Sequence, residues 1–120
     1  MASGIKEPNV KGLFSLLVMV LATVLLLLVT CATPSILVTK EQNLGDSFFN
    51  RQDYAAAAEH YNLMLSASSR LGIYRNLSME SDVHRKMANC YEMTGDYNHA
   101  LLHVRDAMKL DSADNNLFGV

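Results

Sequence analysis

An apolar run near the N-terminus is the feature that most constrains this chain. Residues 13–32 contain 17 apolar side chains, and no Asp, Glu, Lys or Arg occurs between positions 12 and 39. A helix over residues 13–30 would be about 27 Å long, which is enough to cross the hydrocarbon core of a bilayer. Lipid cannot satisfy backbone hydrogen bonds, so a helix is the form that such a segment takes. A buried helix of a soluble domain would keep a polar stripe, and this one has none. We therefore predict a transmembrane or signal helix over residues 13–32, with residues 13–30 in contact with membrane lipid.

The flanking charges predict the orientation of this helix. Lys6 and Lys11 precede it, whereas only Lys40 follows it closely. Because basic residues favour the cytoplasmic side, residues 1–12 are expected to be cytoplasmic. Residues 33–39 are expected to form a linker, and the rest of the chain is expected to lie outside the cytoplasmic membrane, in a periplasmic or other extracytoplasmic space.

Three fates of the apolar segment stay open. It can remain as an uncleaved anchor, or ordinary signal peptidase can cut after Ala32. The third fate follows from Leu28-Val29-Thr30-Cys31, which resembles a bacterial lipoprotein signal and would be acylated at Cys31. Thr30 departs from the Gly, Ala or Ser that usually precedes that cysteine.

The remaining chain is short and mildly acidic. Residues 40–120 carry 8 basic and 11 acidic side chains, which argues against nucleic-acid binding by bulk positive charge. The length allows one small domain, so a multidomain enzyme is excluded.

An internal repeat predicts the fold of this part. Asp53-Tyr54 recurs as Asp96-Tyr97, an offset of 43 residues. The same offset pairs residues of similar size or character: Leu44 with Met87, Gly45 with Ala88, Phe48 with Tyr91, Ala57 with Ala100, Tyr61 with Val104, and Met64-Leu65 with Ala107-Met108. The matches keep the same spacing in both blocks, which indicates one supersecondary unit present twice.

Each block has the pattern of a helical hairpin. Asp53 is a suitable N-cap for a helix that begins at Tyr54, and Asp96 is suited to cap a helix that ends near Leu110. Gly95 suits the C-terminal cap of the helix before it. The small residues Gly45 and Ala88 are expected to let the paired helices approach closely.

These blocks resemble the tetratricopeptide repeat (TPR) family. The segments LGDSFFNRQDYAAAAEHYNLML and MANCYEMTGDYNHALLHVRDAM carry the family's small, aromatic and Asp-Tyr positions in order. The signature residues are Gly45, Phe48, Tyr54, Ala57 and Tyr61 in the first block, and Ala88, Tyr91, Gly95, Tyr97 and Ala100 in the second. The resemblance covers residues 38–114. It implies an all-α fold: two hairpins, at about 40–71 and 81–114, that form a fragment of an α-solenoid, with a tail at 115–120.

The chain departs from the family pattern in three respects. The usual period is about 34 residues, so roughly nine extra residues lie at about 72–80. The family's tryptophan is replaced by Glu41 and His84, and its terminal proline by Ser69 and Ser112. Finally, two hairpins fall short of the three or so that solenoids usually need. Asp114 could cap a third hairpin that does not follow, so either the chain is truncated, or a partner, a second copy or the membrane covers the exposed end of the stack.

The resemblance also implies a binding groove along the first helix of each hairpin. In this sequence its residues would be Gln42, Asp46 and Phe49 from the first hairpin and Arg85, Lys86, Asn89 and Glu92 from the second. Arg85, Lys86 and Asn89 resemble half of a clamp for a peptide carboxylate. The alternative is a solvated polar helix face. Since Phe48 and Phe49 are adjacent, we expect one of them to be exposed or at an interface.

No pattern indicates catalysis, a cofactor or a metal. His99 and His103 share a helix face, but no third ligand follows at metal-site spacing, so the four histidines are expected to be solvated. Cys90 falls on an apolar helix face and is expected to be a buried, unreactive thiol.

Together these features predict a non-catalytic, membrane-tethered TPR protein. Its expected partners are one or more other proteins, including integral membrane subunits, and it would serve as a scaffold, assembly factor or accessory subunit. Association of two copies through the exposed repeat end is a further expectation. The alternative is the N-terminal sensory portion of a larger bacterial signalling protein.

Overall fold

The computed structural model describes residues 10–117, apart from the side chains of residues 30–32 and 117. In this range the chain forms four α-helices: α1 (Val10–Asn50), α2 (Tyr54–Ser69), α3 (Leu77–Met93) and α4 (Tyr97–Leu117), with a 3₁₀ turn at Gly72–Tyr74. The described residues contain no strand, which agrees with the predicted all-α class. Three predictions concern parts outside the described residues: the cytoplasmic placement of residues 1–9, acylation of the Cys31 side chain, and the last residues of the tail.

The chain divides into two compact units, Met1–Thr33 and Pro34–Val120. The described part of the first unit is entirely helical and belongs to α1. By its length and composition, α1 is apolar and long enough to cross a membrane or to act as a signal sequence. Its large apolar side chains from Val10 to Val29 are exposed. This agrees with a segment whose surroundings are lipid rather than protein.

Helix boundaries differ from the sequence predictions at three places. Residues 33–39, predicted to be a linker, lie inside α1, which continues through Pro34. The insertion at about 72–80 forms the 3₁₀ turn and the first turn of α3, so the second hairpin begins at Leu77 rather than near residue 81. Asp114 does not cap a third hairpin, because α4 continues past Leu110 to Leu117. At Leu110 the difference reflects helix propagation, which costs little once a packed helix has formed, whereas α1 continues through Pro34 although proline cannot donate the backbone hydrogen bond of a helix.

The second unit consists of two helical hairpins, and its apolar core cluster lies between α1, α2 and α3. The largest fully buried side chains are Tyr61 and Met64 from α2 and Val83, Met87 and Cys90 from α3. They are joined by smaller apolar residues of the same helices and by Val38 of α1.

Gly45 sets the distance between α1 and α2. A Cβ atom at this position would lie 2.5 Å from Cε1 of Tyr61, so only glycine lets the ring pack against the α1 backbone. The predicted close approach at Gly45 is therefore confirmed.

The turns of the two hairpins have the same construction. Gln52 and Gly95, which are 43 residues apart, both adopt positive φ, at 63° and 83°. After each, the amide of Asp53 or Asp96 donates to a carbonyl in the last turn of the preceding helix, at 3.0 and 2.8 Å. The two aspartates then cap the next helices by accepting from the amides three residues later, at 3.3 and 3.2 Å. The predicted N-caps and the Gly95 cap are confirmed.

This shared turn predicts opposite effects of two substitutions. Gln52→Gly should raise the free energy of unfolding by about 0.5–1 kcal/mol, because glycine adopts positive φ without strain. Gly95→Ala should lower it by about 1 kcal/mol. No atom lies within 4 Å of the added methyl at Gly95, so backbone strain alone would be responsible. Urea unfolding of the full chain in detergent micelles, followed by circular dichroism, measures both values. Equal stability of all three proteins would contradict the prediction.

Candidate functional site

Three of the predicted groove residues line one cleft. Gln42 of α1 and Arg85 and Lys86 of α3 border a depression of about 470 Å³. The other residues that line it come from α3 and its N-cap: Asn76, Ser78, Met79, Asp82 and Val83. The structure thus brings together residues from both hairpins on the face shared by α1 and α3.

The two cations of this cleft form ion pairs with carboxylates of the same chain. Lys86 Nζ lies 2.7 Å from Oδ1 of Asp46, which also accepts a 2.6 Å hydrogen bond from the Tyr61 hydroxyl. Burial and the contact with Asp46 raise the pKa of Tyr61, so this hydroxyl is a permanent donor. Asp46 is therefore a connector between α1, α2 and α3 rather than a side chain presented to a ligand.

Arg85 is also paired within the chain. It donates to Asp82 at 3.0 Å and contacts Asp111 of α4. A peptide carboxylate would have to displace these aspartates to reach Arg85 or Lys86. Asn89 and Glu92, the remaining polar residues of the predicted groove on α3, are exposed.

Phe48 and Phe49 are both half-buried, so neither is fully exposed, and the alternative that one of them lies at an interface stays a prediction. Phe48 stacks on His60, while Phe49 meets the Tyr54 ring edge-on with 5.8 Å between centroids. The hairpin turn brings α2 against both rings. Phe49 therefore packs at the turn and against the core.

Buried polar groups hold the start of α3 to both neighbouring helices. Glu80 is 2% exposed; it accepts hydrogen bonds from Arg75 Nε at 2.9 Å and from Ser68 of α2 at 2.5 Å. Burial opposes ionisation of Glu80, but the bonds from Arg75 and Ser68 outweigh it and lower its pKa. The adjacent Ser81 donates to Asp111 of α4 at 2.5 Å.

The first hairpin contains a histidine paired with a carboxylate. Nδ1 of His60 lies 2.6 Å from Oε2 of Glu41, and the His60 ring stacks on Phe48 at 5.1 Å. Glu41 is buried and His60 is half-buried.

The second hairpin contains the equivalent cluster with different chemistry. Nδ1 of His84 lies 2.9 Å from Nδ1 of His103, and the His103 ring stacks on Tyr91 at 5.3 Å. One ligand atom from each of His84, His103 and Asp106 lies within 4.8 Å of the others. Burial lowers the pKa of His84 against the opposing effects of Asp106 and Glu80. It also lowers the pKa of His103, where His84 adds to the effect.

The expectation of solvated histidines is therefore wrong for three of the four. His60, His84 and His103 are half-buried and paired, whereas His99 is exposed and bonds Asp96 at 2.6 Å. Helix spacing points to His99, one turn away, as the neighbour of His103, but His103 contacts His84 on α3. The repeat offset carried this signal, because 43 residues separate Glu41 from His84, Phe48 from Tyr91 and His60 from His103.

The second face of interest is an apolar stripe on α4, which we define as Tyr97, Leu101, Val104 and Met108. These side chains recur at the spacing of one helix face and are 69, 51, 42 and 64% exposed. At the same repeat positions α2 carries Tyr54, Ala58, Tyr61 and Leu65, and all four are buried or half-buried. On α2, Tyr61 is buried against α1 and α3 packs on the same helix, whereas the described residues contain no later helix against α4.

A further cleft of about 660 Å³ lies between α2 and the end of α3. Tyr54, Leu63 and Tyr91 are among its lining residues, and Cys90 is at its base. Cys90 is buried, and burial raises its pKa to about 11, so the thiolate needed for reactivity is disfavoured. The predicted buried thiol is confirmed.

No protein-family model, curated protein or solved structure matches the chain.

Proposed function

We propose that this chain is a non-catalytic, membrane-tethered protein of the TPR type that holds another protein at the outer face of the membrane. The observation that carries the proposal is the apolar stripe of α4. Four large apolar side chains on one helix face are unfavourable in water at roughly 25 cal/mol per Å² of apolar surface. A partner that covers them would remove this cost.

The first hairpin suggests what kind of group covers the stripe. At the equivalent positions of α2, Tyr61 packs on the α1 backbone at Gly45, while α3, an amphipathic helix, adds Met87 and Cys90 to the same core. An amphipathic helix of a partner protein, packed in the same way on α4, would extend the stack by one helix. This surface is favoured over the cleft between α1 and α3, whose cations already have carboxylate partners.

The apolar part of α1 supports the tether. The N-terminal part of α1 is apolar and long enough to cross a membrane, and the lysines before it favour a cytoplasmic N-terminus. Reporter fusions after Val120 would test the orientation: a reporter active only outside the cytoplasm should be active there. Mass spectrometry of the N-terminus would distinguish an intact Met1 from acylated Cys31 and from a chain that begins at Thr33.

Site-specific photo-crosslinking tests the docking surface. A photoreactive residue at Leu101 or Met108 of the full chain, activated in membranes, should give a discrete adduct with another protein. Asn89 is the matched control, because it is exposed but lies on α3 away from the stripe. Leu101→Asp should abolish the adduct from Met108 without loss of helix, since Leu101 packs against little within the chain.

Three outcomes would count against this proposal. Adducts from Asn89 alone would move the contact to the predicted groove, and an adduct of twice the chain's mass would identify a second copy as the occupant. A purified full chain that remains a compact monomer in detergent, with no adduct from any position, would argue against a partner.

A further inference from the structure

Three side chains of types that bind metal ions lie close together between the two helices of the second hairpin. His84 projects from α3 and His103 from α4, and their Nδ1 atoms are 2.9 Å apart. Asp106, one turn after His103 on α4, brings a carboxylate oxygen within 4.8 Å of both. Among the described residues its ion pair is a loose one with Lys109 of the same helix, 3.7 Å between Oδ1 and Nζ.

The first hairpin is an internal comparison for this cluster. It has the same stacked aromatic and histidine, Phe48 and His60, but Glu41 occupies the position of His84. The counterpart of Asp106 is Leu63. The first cluster therefore consists of one histidine paired with one carboxylate, and leucine takes the place of a third ligand. The second cluster has two imidazoles and a carboxylate at the same repeat positions.

We propose that His84, His103 and Asp106 form a binding site for a divalent transition-metal ion of the zinc type. Two imidazole nitrogens and one carboxylate oxygen suit Zn²⁺ and its neighbours Co²⁺, Ni²⁺ and Cu²⁺, whereas Mg²⁺ and Ca²⁺ prefer oxygen ligands alone. At Zn–N distances of about 2.0–2.1 Å, two ligands of a tetrahedral ion lie roughly 3.3 Å apart. The Nδ1 atoms need to separate by only a few tenths of an ångström.

The surroundings of His84 and His103 favour neutral imidazole, which is the form that binds a metal ion. Half-burial disfavours the imidazolium, so both rings are available as neutral ligands. The stack on Tyr91 holds the plane of His103. In the observed contact one ring donates from Nδ1 to the other. When an ion takes the place of that hydrogen, the proton of the donating ring moves to Nε2, and the net proton count does not change.

The proposed ion would join α3 to α4 and leave a fourth coordination position for water or for a ligand from a partner. Because an ion that binds only the folded hairpin stabilises it by mass action, Zn²⁺ should raise the melting temperature of the second unit. The site lies on the hairpin that carries the α4 stripe, but its existence does not depend on the proposed function.

The test uses the untagged full chain in detergent micelles, with Co²⁺ and Zn²⁺ as probes. Titration with Co²⁺ should produce the visible absorption of a low-symmetry nitrogen–oxygen site at one ion per chain, and Zn²⁺ should displace it. His103→Gln should abolish saturable binding. Asp106→Leu reproduces the first hairpin at a half-exposed position and should weaken Zn²⁺ binding at least tenfold while leaving helix content unchanged.

Two matched controls separate this site from other histidine–carboxylate pairs. His60→Gln removes the paired histidine of the first hairpin, and His99→Gln removes the exposed pair with Asp96. Both variants should bind Zn²⁺ with wild-type affinity. The proposal is overturned if Asp106→Leu and His103→Gln bind as tightly as the wild type, or if the wild type shows neither Co²⁺ absorption nor a Zn²⁺-dependent rise in melting temperature.

Discussion

Gly45→Ala is expected to lower the free energy of unfolding of the second unit by about 3 kcal/mol, near the upper end of the usual cost of overpacking. The added methyl would lie 2.5 and 2.6 Å from two ring carbons of Tyr61. That ring is fully buried, and its hydroxyl is bonded to Asp46, so it cannot move aside without losing the bond. Urea unfolding of the full chain in micelles measures the loss.

The second hairpin provides the control for this substitution. At the position of Gly45 it carries the larger Ala88, and at the position of Tyr61 it carries the smaller Val104. The double variant Gly45→Ala/Tyr61→Val copies that combination. Its destabilisation should be clearly smaller than the sum of the two single losses, because the clash disappears with the ring. Additive losses, or a Gly45→Ala protein as stable as the wild type, would contradict the account of helix packing.

Arg75→Ala is the second substitution with a large expected effect, a loss of about 2–3 kcal/mol. It removes the guanidinium that donates to Glu80, whose side chain is 3% exposed. Only the hydroxyl of Ser68 would then satisfy this buried carboxylate. Unfolding of the variant in urea should show a lower midpoint with the same slope, because the surface exposed on unfolding is unchanged.

Arg85→Ala is the matched control for that arginine. Arg85 also pairs with carboxylates, but its side chain is 54% exposed and its partners are 68 and 40% exposed. Exposed ion pairs contribute roughly 0–1 kcal/mol, so the control should lose far less than Arg75→Ala. Equal losses would mean that burial of Glu80 does not set the strength of the Arg75 pair.

Glu80 also predicts an acid dependence of stability. Its pKa in the fold is lowered from an ordinary value of 4.5, so the unfolded chain takes up a proton at higher pH than the folded chain does. The contribution of Glu80 to stability is therefore present above about pH 4.5 and is lost as the pH falls through the lowered pKa. Unfolding measured between pH 6 and pH 3 should show a shallower decline for Glu80→Gln than for the wild type. Parallel declines would exclude this linkage.

The repeat predicted local features reliably where short-range chemistry decides them. Asp53 and Asp96 cap helices because an aspartate oxygen reaches the amide three residues later wherever it precedes a helix. Gly95 ends α3 because it adopts positive φ without strain. Gln52 occupies the equivalent position without being glycine, and only the alignment of the two turns points to it.

Predictions failed where the result depends on which helix lies next to which. The cations Arg85 and Lys86 resembled a clamp, but their carboxylate partners Asp111 and Asp46 come from α4 and α1. Spacing along a single helix does not link His84 to His103, although packing of α3 on α4 brings them into contact. Helix periodicity indicates which face of a helix is apolar, but not the rotation and register of the helix that covers it.

The sequence alone determined the apolar segment, the all-α class and the 43-residue repeat of the turns, because charge-free length, helical periodicity and capping act within a few residues. Tertiary structure decided which predicted groove residues are already paired, that the α4 stripe lacks the cover that α3 provides for α2, and that His84, His103 and Asp106 meet. The physical reason is the same in each case. These contacts join residues that are 19 to 40 positions apart in the sequence. Whether such residues meet depends on side-chain volumes where the helices touch, as at Gly45 and Tyr61.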